Sequence, residues 1–218
     1  MEIKRLEKIL PITVFCVAFS ISINAQTPVN DDGVVLDYDY ALFGAGMQKN
    51  DDYGVSYAGV GMQLSKRVDN IVVSLAPSVA GIDADDVDLD GTVVQFDASF
   101  GYITEISDKL HLVPSLGLHF EAFDADVAGI GVNGSSYDFV PSITLNYAAL
   151  ERLQLQASLM GAINLADSFD DKFRPEVRDG LGIGFGARYG ITKNIGVNIN
   201  ADFISKIQVY VIGLSYHY

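Results

Sequence analysis

Cysteine is nearly missing from this chain: Cys16 is the only one in 218 residues, and there is no tryptophan. One thiol permits no intrachain disulfide, no multi-cysteine metal centre and no redox pair. Basic residues are also scarce, 14 Lys and Arg against 28 Asp and Glu, a formal net charge of −14. That balance argues against nucleic acid as a partner, since phosphate neutralisation needs clustered Lys and Arg. Past residue 32 almost nothing recurs at helical spacing. Beyond the N-terminal segment no apolar run approaches the roughly 20 residues that span a bilayer as a helix. If the mature chain crosses a membrane, it must do so as a closed barrel, whose strand pairing satisfies every backbone polar group.

The N-terminal segment is of a different kind. MEIKRLEK is short and carries Lys4, Arg5 and Lys8; ILPITVFCVAFSISI is apolar; NAQ follows. This is the order of a secretory signal peptide, residues 1–25, with cleavage after Ala25 and Sec-type export. The apolar run is too short for a transmembrane helix. Phe15, directly before Cys16, is too bulky for a lipoprotein cleavage site, so no lipid anchor is expected. Removal of the segment leaves a cysteine-free chain, residues 26–218, one charge more negative.

What fills that chain is alternation with a period of two, the mark of a strand with two unlike faces. In Leu110–Ala122 the even positions Leu110, Leu112, Pro114, Leu116, Leu118 and Phe120 oppose His111, Ser115, Gly117, His119 and Glu121. The rule repeats through Tyr137–Ala149, Leu153–Leu165, Leu181–Ile191, Ile195–Phe203 and Ile207–Tyr218. Earlier segments are rougher. Val34–Gly46 sets Leu36, Tyr38, Tyr40 and Leu42 against Asp37 and Asp39. Tyr53–Leu64 changes phase near Ala58–Gly59, which reads as a β-bulge. Ile71–Gly81 and Thr92–Ile106 complete the set, and together these segments predict ten strands, or eight if two weak ones merge. An even count is what a closed up-and-down barrel requires. The connections SKRVDN, SDK, ALER and ITKN are short and basic. KNDD, DADDVDLDG, DADVAGIGVNGSS and DSFDDKFRPEVRD are mostly longer and acidic, whereas ISK breaks the pattern. No linker or sequence repeat divides the chain, so one domain is expected.

Alternation alone does not choose which face is outside. The polar stripe is rich in Gly, Ser, Ala, Asn and Gln, small groups that suit a narrow interior, where Leu, Phe and Tyr would crowd. A water-facing strand surface would be expected to carry more Lys and Glu. Tyr38, Tyr40, Tyr53, Tyr102, Tyr137, Tyr147, Tyr189, Tyr210, Tyr216 and Tyr218 tend towards strand ends, as membrane-interface girdles do. The last strand alternates to an aromatic C-terminus through Tyr210, Ile212, Leu214, Tyr216 and Tyr218. This resembles the β-signal read by the outer-membrane assembly machinery. The chain from residue 26 on is similar to the small outer-membrane β-barrels of the OmpA-transmembrane-domain and OmpX/OmpW-like superfamily. The resemblance implies a Gram-negative outer-membrane protein, a monomer in contact with outer-membrane lipid and lipopolysaccharide. A periplasmic peptidoglycan-binding domain has no room here.

Few residues suggest chemistry. Asp86, Asp88, Asp90 and Gly91 have the spacing that opens a calcium loop, where alternate carboxylates converge on a hard cation. Asp97 stands where an EF-hand places Glu, and no helices flank the loop, so an acidic solvated loop sharing divalent cations with lipopolysaccharide phosphates is the simpler reading. No other cofactor is expected. Asp37, Asp39, Asp97, Glu105, His111, His119, Glu121, Asp138, Arg188 and Asp202 are expected inside the barrel, with Arg188 the strong base among carboxylates. Such a network acts as a polar plug or lines a narrow passage for small solutes or ions. Ser115, His119 and Glu121 on one stripe leave a hydrolase, a protease or a lipid A-modifying enzyme, as a further alternative. The expectation is a non-enzymatic barrel with a structural or surface-interaction role.

Overall fold

The computed structural model describes residues 29–30, 33–34, 36, 38–50, 55–84, 89–127, 129–168, 180–204 and 207–218. Residues 1–25, together with Asp37, Tyr53, Asp86 and Asp88, lie outside them. Apart from a two-residue ladder between Val29–Asn30 and Gly33–Val34, the strands form one ring. They are β1 Tyr40–Asn50, β2 Val55–Val68, β3 Ile71–Ala84 and β4 Leu89–Tyr102, which continues as Thr104–Ser107. Then come β5 Leu110–Val127, β6 Ile130–Leu150, β7 Leu153–Asp167, β8 Gly180–Gly190, β9 Ile195–Ile204 and β10 Ile207–His217. Each strand pairs antiparallel with its neighbours in sequence, and β10 closes on β1 from Ile207↔Asn50 to His217↔Tyr40. The result is a closed ten-stranded up-and-down barrel. Followed around the ring, the registers return to β1 displaced by about twelve residues, a stagger that tilts the strands by about 40°.

The two faces sort as in a membrane barrel, apolar outside and polar inside. Phe43, Leu64, Phe96, Leu118, Ile143, Leu159, Phe185 and Ile212 stand exposed on the outer wall, while Gln95, Asp97, His119, Glu121, Asn146, Arg188 and Asp202 are buried within. Two aromatic belts bound the apolar band. Tyr102, Tyr147, Tyr189, Tyr216 and Tyr218 project outward near the rim of short turns. Towards the other rim Phe120 packs on Tyr137, ring centroids 4.9 Å apart, and Phe203 meets Tyr210 edge-on at 6.2 Å. Tyr137 and Tyr147 lie on the same strand, β6. At roughly 3.4 Å per residue and about 40° of tilt their spacing spans about 25 Å, the height of a hydrocarbon band.

Where the ladder lapses, proline is the reason. Pro77 faces β2 without an N–H, and pairing there stops between Gly61↔Ser78 and Leu64↔Leu75. Pro141 does the same towards β7, between Met160↔Ser142 and Ile163↔Phe139. Pro114 stands level with Tyr102, where β4 leaves β5 after Gly101↔Ser115 and rejoins at Thr104↔Leu112. Each of the three still pairs on its other side, as Pro77↔Phe96, Pro141↔Leu116 and Pro114↔Ile143. On the β3 side of the same strand the Ile103 N–H donates to the Asn70 carbonyl at 2.7 Å, one rung past Ile71↔Tyr102.

Three expectations need correction. There is no bulge at Ala58–Gly59: β2 pairs with β1 in unbroken register, and the apparent phase change arises because Tyr57 points into the barrel. Tyr38, Tyr40 and Leu42 are not on the outer wall either; all three are buried inside, and Phe43 and Met47 face outward. The stretch DADVAGIGVNGSS is not a loop but the crest of the β5–β6 hairpin, paired from Asp124↔Asn133 to Val127↔Ile130. Its turn uses Gly129 at φ 84, whose N–H donates to Asp126 Oδ1 at 2.6 Å. Phe123, Ala125 and Val132 bury on the inner side of that crest, which is why it stays sheet.

Glycine is required where β2 and β3 approach most closely: a Cβ on Gly59 would strike the Val79 carbonyl and Ala80. Gly59→Ala is therefore expected to destabilise the barrel by about 1–3 kcal/mol. Gly131→Ala, in open space, should leave it unchanged. Urea unfolding of both variants in lipid vesicles checks this.

Candidate functional site: the barrel interior

The interior has three levels, each set by which residues occupy the inward positions of the strands. At the short-turn end Leu36, Tyr38, Val72, Ile103, Val113 and Ala148 form an apolar cluster. The chain leading into β1 thus runs inside the barrel mouth instead of extending the strand. Tyr38 is fully buried, stacked on His111 at 6.1 Å with rings 6° from parallel. Burial raises the Tyr38 phenol well above its ordinary pKa, with the nearby Arg67 charge opposing, so it stays protonated, and its hydroxyl is hydrogen-bonded to His111 Nδ1 at 3.0 Å. The Arg67 guanidinium lies 5.9 Å from the Tyr38 ring and bonds Glu105 at 3.1 Å. Asp39 accepts from Lys66 Nζ at 2.9 Å and from the Arg67 backbone N–H at 2.6 Å. Asp39 and Glu105 therefore belong to the rim, not to the lumen: their positions fall where the alternation has already turned outward.

The middle level is polar. Ser78 donates to Gln95 Oε1 at 3.0 Å, and Gln95 Nε2 donates to Glu121 Oε2 at 2.8 Å. His119 Nδ1 is 2.7 Å from Asp97 Oδ1, and its Nε2 lies 3.9 Å from Glu121 Oε2. Asn164 donates to Asp138 Oδ1 at 2.8 Å. Across the lumen, Arg188 Nε donates to Asn198 Oδ1, Asn198 Nδ2 donates to Ser215 at 3.0 Å, and the guanidinium covers the Tyr40 ring at 4.7 Å. Arg188 therefore rests on an amide and an aromatic face, a contact that the inward turn of Tyr40 makes possible. The glycines of β8 floor this level, since side chains at Gly184 and Gly186 would occupy the space of Asp202, Ser158 and Asn200. A small recess remains, bounded by Gln63, Ser78, Asn200, Asp202 and Val211 among others.

Above it the inner wall becomes apolar. Tyr57, Ile82, Val93, Phe123 and Val132 are buried there, with Met160 on Ile204 and the run Ile207, Val209 and Val211. Sequence reasoning missed this layer and the lower one. Their only signal was the apolar residues Val93, Val113 and Val211, set on otherwise polar stripes.

Of the expected lumenal residues, Asp97, His111, His119, Glu121, Asp138, Arg188 and Asp202 are buried inside. His119 lies against both Asp97 and Glu121. Among the described residues no hydroxyl is hydrogen-bonded to His119: Ser115 Oγ is bonded to Ser142 Oγ at 2.7 Å, and His119 Nε2 has no hydrogen-bond partner. Asp90 is exposed on β4, opposite Asp126. Among the described residues no three His, Cys, Asp or Glu side chains gather as a metal site. On β10, Tyr210, Ile212, Leu214, Tyr216 and Tyr218 all face outward. The Tyr218 hydroxyl donates to the Ser65 carbonyl at 3.0 Å beneath Lys66, whose ammonium is 5.3 Å from the ring.

No protein-family model matches the chain, and no curated protein matches it in sequence. Among solved structures it is similar to the KdgM porin, at 13% identity and a TM-score of 0.44 over 82% of this chain and 99% of that one. It is also similar to the β domain of the Bordetella autotransporter BrkA, at 12% and 0.49 over 82% and 98%. A third is OprG from Pseudomonas aeruginosa, at 12% and 0.44 over 91% and 99%. Likenesses this distant say nothing of what the chain does.

The lower cluster should carry much of the stability of the short-turn end. Tyr38→Ala is expected to lose about 3–5 kcal/mol by opening a void, and Tyr38→Phe only about 1 kcal/mol for the hydrogen bond. Urea titration of the refolded barrel in vesicles measures both.

Proposed function

We propose that the protein is a non-enzymatic β-barrel of the Gram-negative outer membrane, with a closed interior and a structural or surface-interaction role. One observation carries this reading: the polar middle of the lumen lies between two apolar layers of buried side chains. Ions crossing such a barrel would have to displace Tyr38 and Leu36 at one end and the layer around Phe123 and Val209 at the other. The His119–Asp97 pair points no base at a hydroxyl, which speaks against the hydrolase reading. What reaches the outside is the β5–β6 crest, with Asp124 and Asp126 exposed on its outer face. That acidic surface suits divalent cations shared with lipopolysaccharide phosphates.

Planar-bilayer recording of the purified protein should show no reproducible unit conductance. Discrete steps whose size changes on substituting Arg188 would overturn the closed-interior reading in favour of a narrow channel.

The outer face of β10 fits the signal recognised by the assembly machinery. Deleting Tyr218 removes one hydrogen bond and one ring at the rim, a change of about 1–2 kcal/mol in the folded barrel. Its effect on insertion in cells should be larger, with most of the chain failing to reach the outer membrane by fractionation. Normal insertion of the deletion would refute the signal role.

A further inference from the structure

On the lumenal wall of β4, β5 and β6 a second cavity, with an empty volume of about 290 Å³, adjoins Asp97. Its inward-facing lining is Asp97, Ser99, Ser115, Val140 and Ser142 around Gly117. The recess exists because Gly117 stands between Ser99 and Val140 in the cross-strand row and brings no side chain. All the lining side chains but Val140 end in oxygen. Two of those oxygens have no hydrogen-bond partner although the residues are shielded: Asp97 Oδ2 and Ser99 Oγ, at 3% and 8% exposure. The other Asp97 oxygen is held by His119, and the Ser115 and Ser142 hydroxyls lie 2.7 Å apart.

Charge points the same way. This wall carries the carboxyl groups of Asp97, Glu121 and Asp138 with one imidazole, His119, while Arg188 is engaged across the lumen with Asn198 and Tyr40. Negative charge held away from water is costly unless something balances it. The polar side chains of the lining offer oxygen only, one carboxyl and three hydroxyls, which suits a hard ion of low charge; calcium draws on more carboxylates, and softer metals on nitrogen or sulfur.

We propose that this recess binds one alkali-metal cation, sodium or potassium, through Asp97 Oδ2, the Ser99 hydroxyl and the Ser115–Ser142 pair. The ion is a structural counter-charge that ties β4 to β6 within the closed interior. It rests on the lumenal geometry alone, so it holds whether or not the barrel conducts.

The test is thermal unfolding of the refolded protein in detergent, in sodium, potassium or choline chloride at equal ionic strength. The alkali cations should raise the midpoint saturably and choline should not. Crystals soaked in thallium(I) should show an anomalous peak between Asp97 and Ser142. Asp97→Asn should abolish both signals. Gly117→Val, which fills the recess and keeps every oxygen ligand, should do the same and decides the matter if Asp97→Asn fails to fold. Equal midpoints in sodium and choline, no anomalous peak, or a cation effect that survives Gly117→Val would each overturn the proposal and leave water or a proton in the recess.

Discussion

In hydrocarbon a backbone N–H or C=O that pairs with nothing has no water to turn to, and each such group costs several kcal/mol. Closure of the ring follows from that constraint. β10 must find β1, so both termini come to the same rim, an even strand count results, and side chains sort into lipid-facing and enclosed sets. The same constraint explains how proline is tolerated in the wall. In an antiparallel ladder each residue directs its N–H to one neighbour only, so Pro77, Pro114 and Pro141 each interrupt one seam and leave the other whole.

Once the ring is closed, its interior has to be filled. A ten-stranded ring is only slightly wider than one whose side chains meet at the axis. The chain fills it with polar groups in the middle and apolar groups at both ends. Polar groups at mid-height satisfy one another across strands, as Ser78, Gln95 and Glu121 do. Apolar groups line the inner wall on either side of that network.

Most of the architecture was legible because the side-chain period of a strand is two, and a one-residue error would turn every apolar group to the wrong face. From Leu110 onward the faces fall as the alternation implies, and Asp97, His119, Glu121, Asp138, Arg188 and Asp202 are lumenal. The failures have a common cause. Alternation tells which residues share a face, not whether that face is inside, and the assignment relied on apolar meaning outward. Near the rims that equation breaks, because an interior sealed against water also wants Leu, Val and Tyr. Leu36, Tyr38 and Tyr40 therefore read as lipid-facing when they are enclosed, and Asp39 beside them came out lumenal when it is at the rim. Tyr57 produced a false bulge for the same reason.

Tyr40 shows how such a reversal can be productive. An arginine enclosed in a barrel needs something to offset its desolvation, and carboxylates were the obvious candidates. The ring of Tyr40 supplies a face for the Arg188 cation and Asn198 supplies an acceptor, neither of which adds negative charge. Arg188 is held this way on β8, while on β4 and β5 the Asp97 and Glu121 carboxyls flank one imidazole, His119. The inward turn of one tyrosine on β1 thus gives an enclosed cation on β8 an aromatic face to rest on, a role that an outward Tyr40 could not fill.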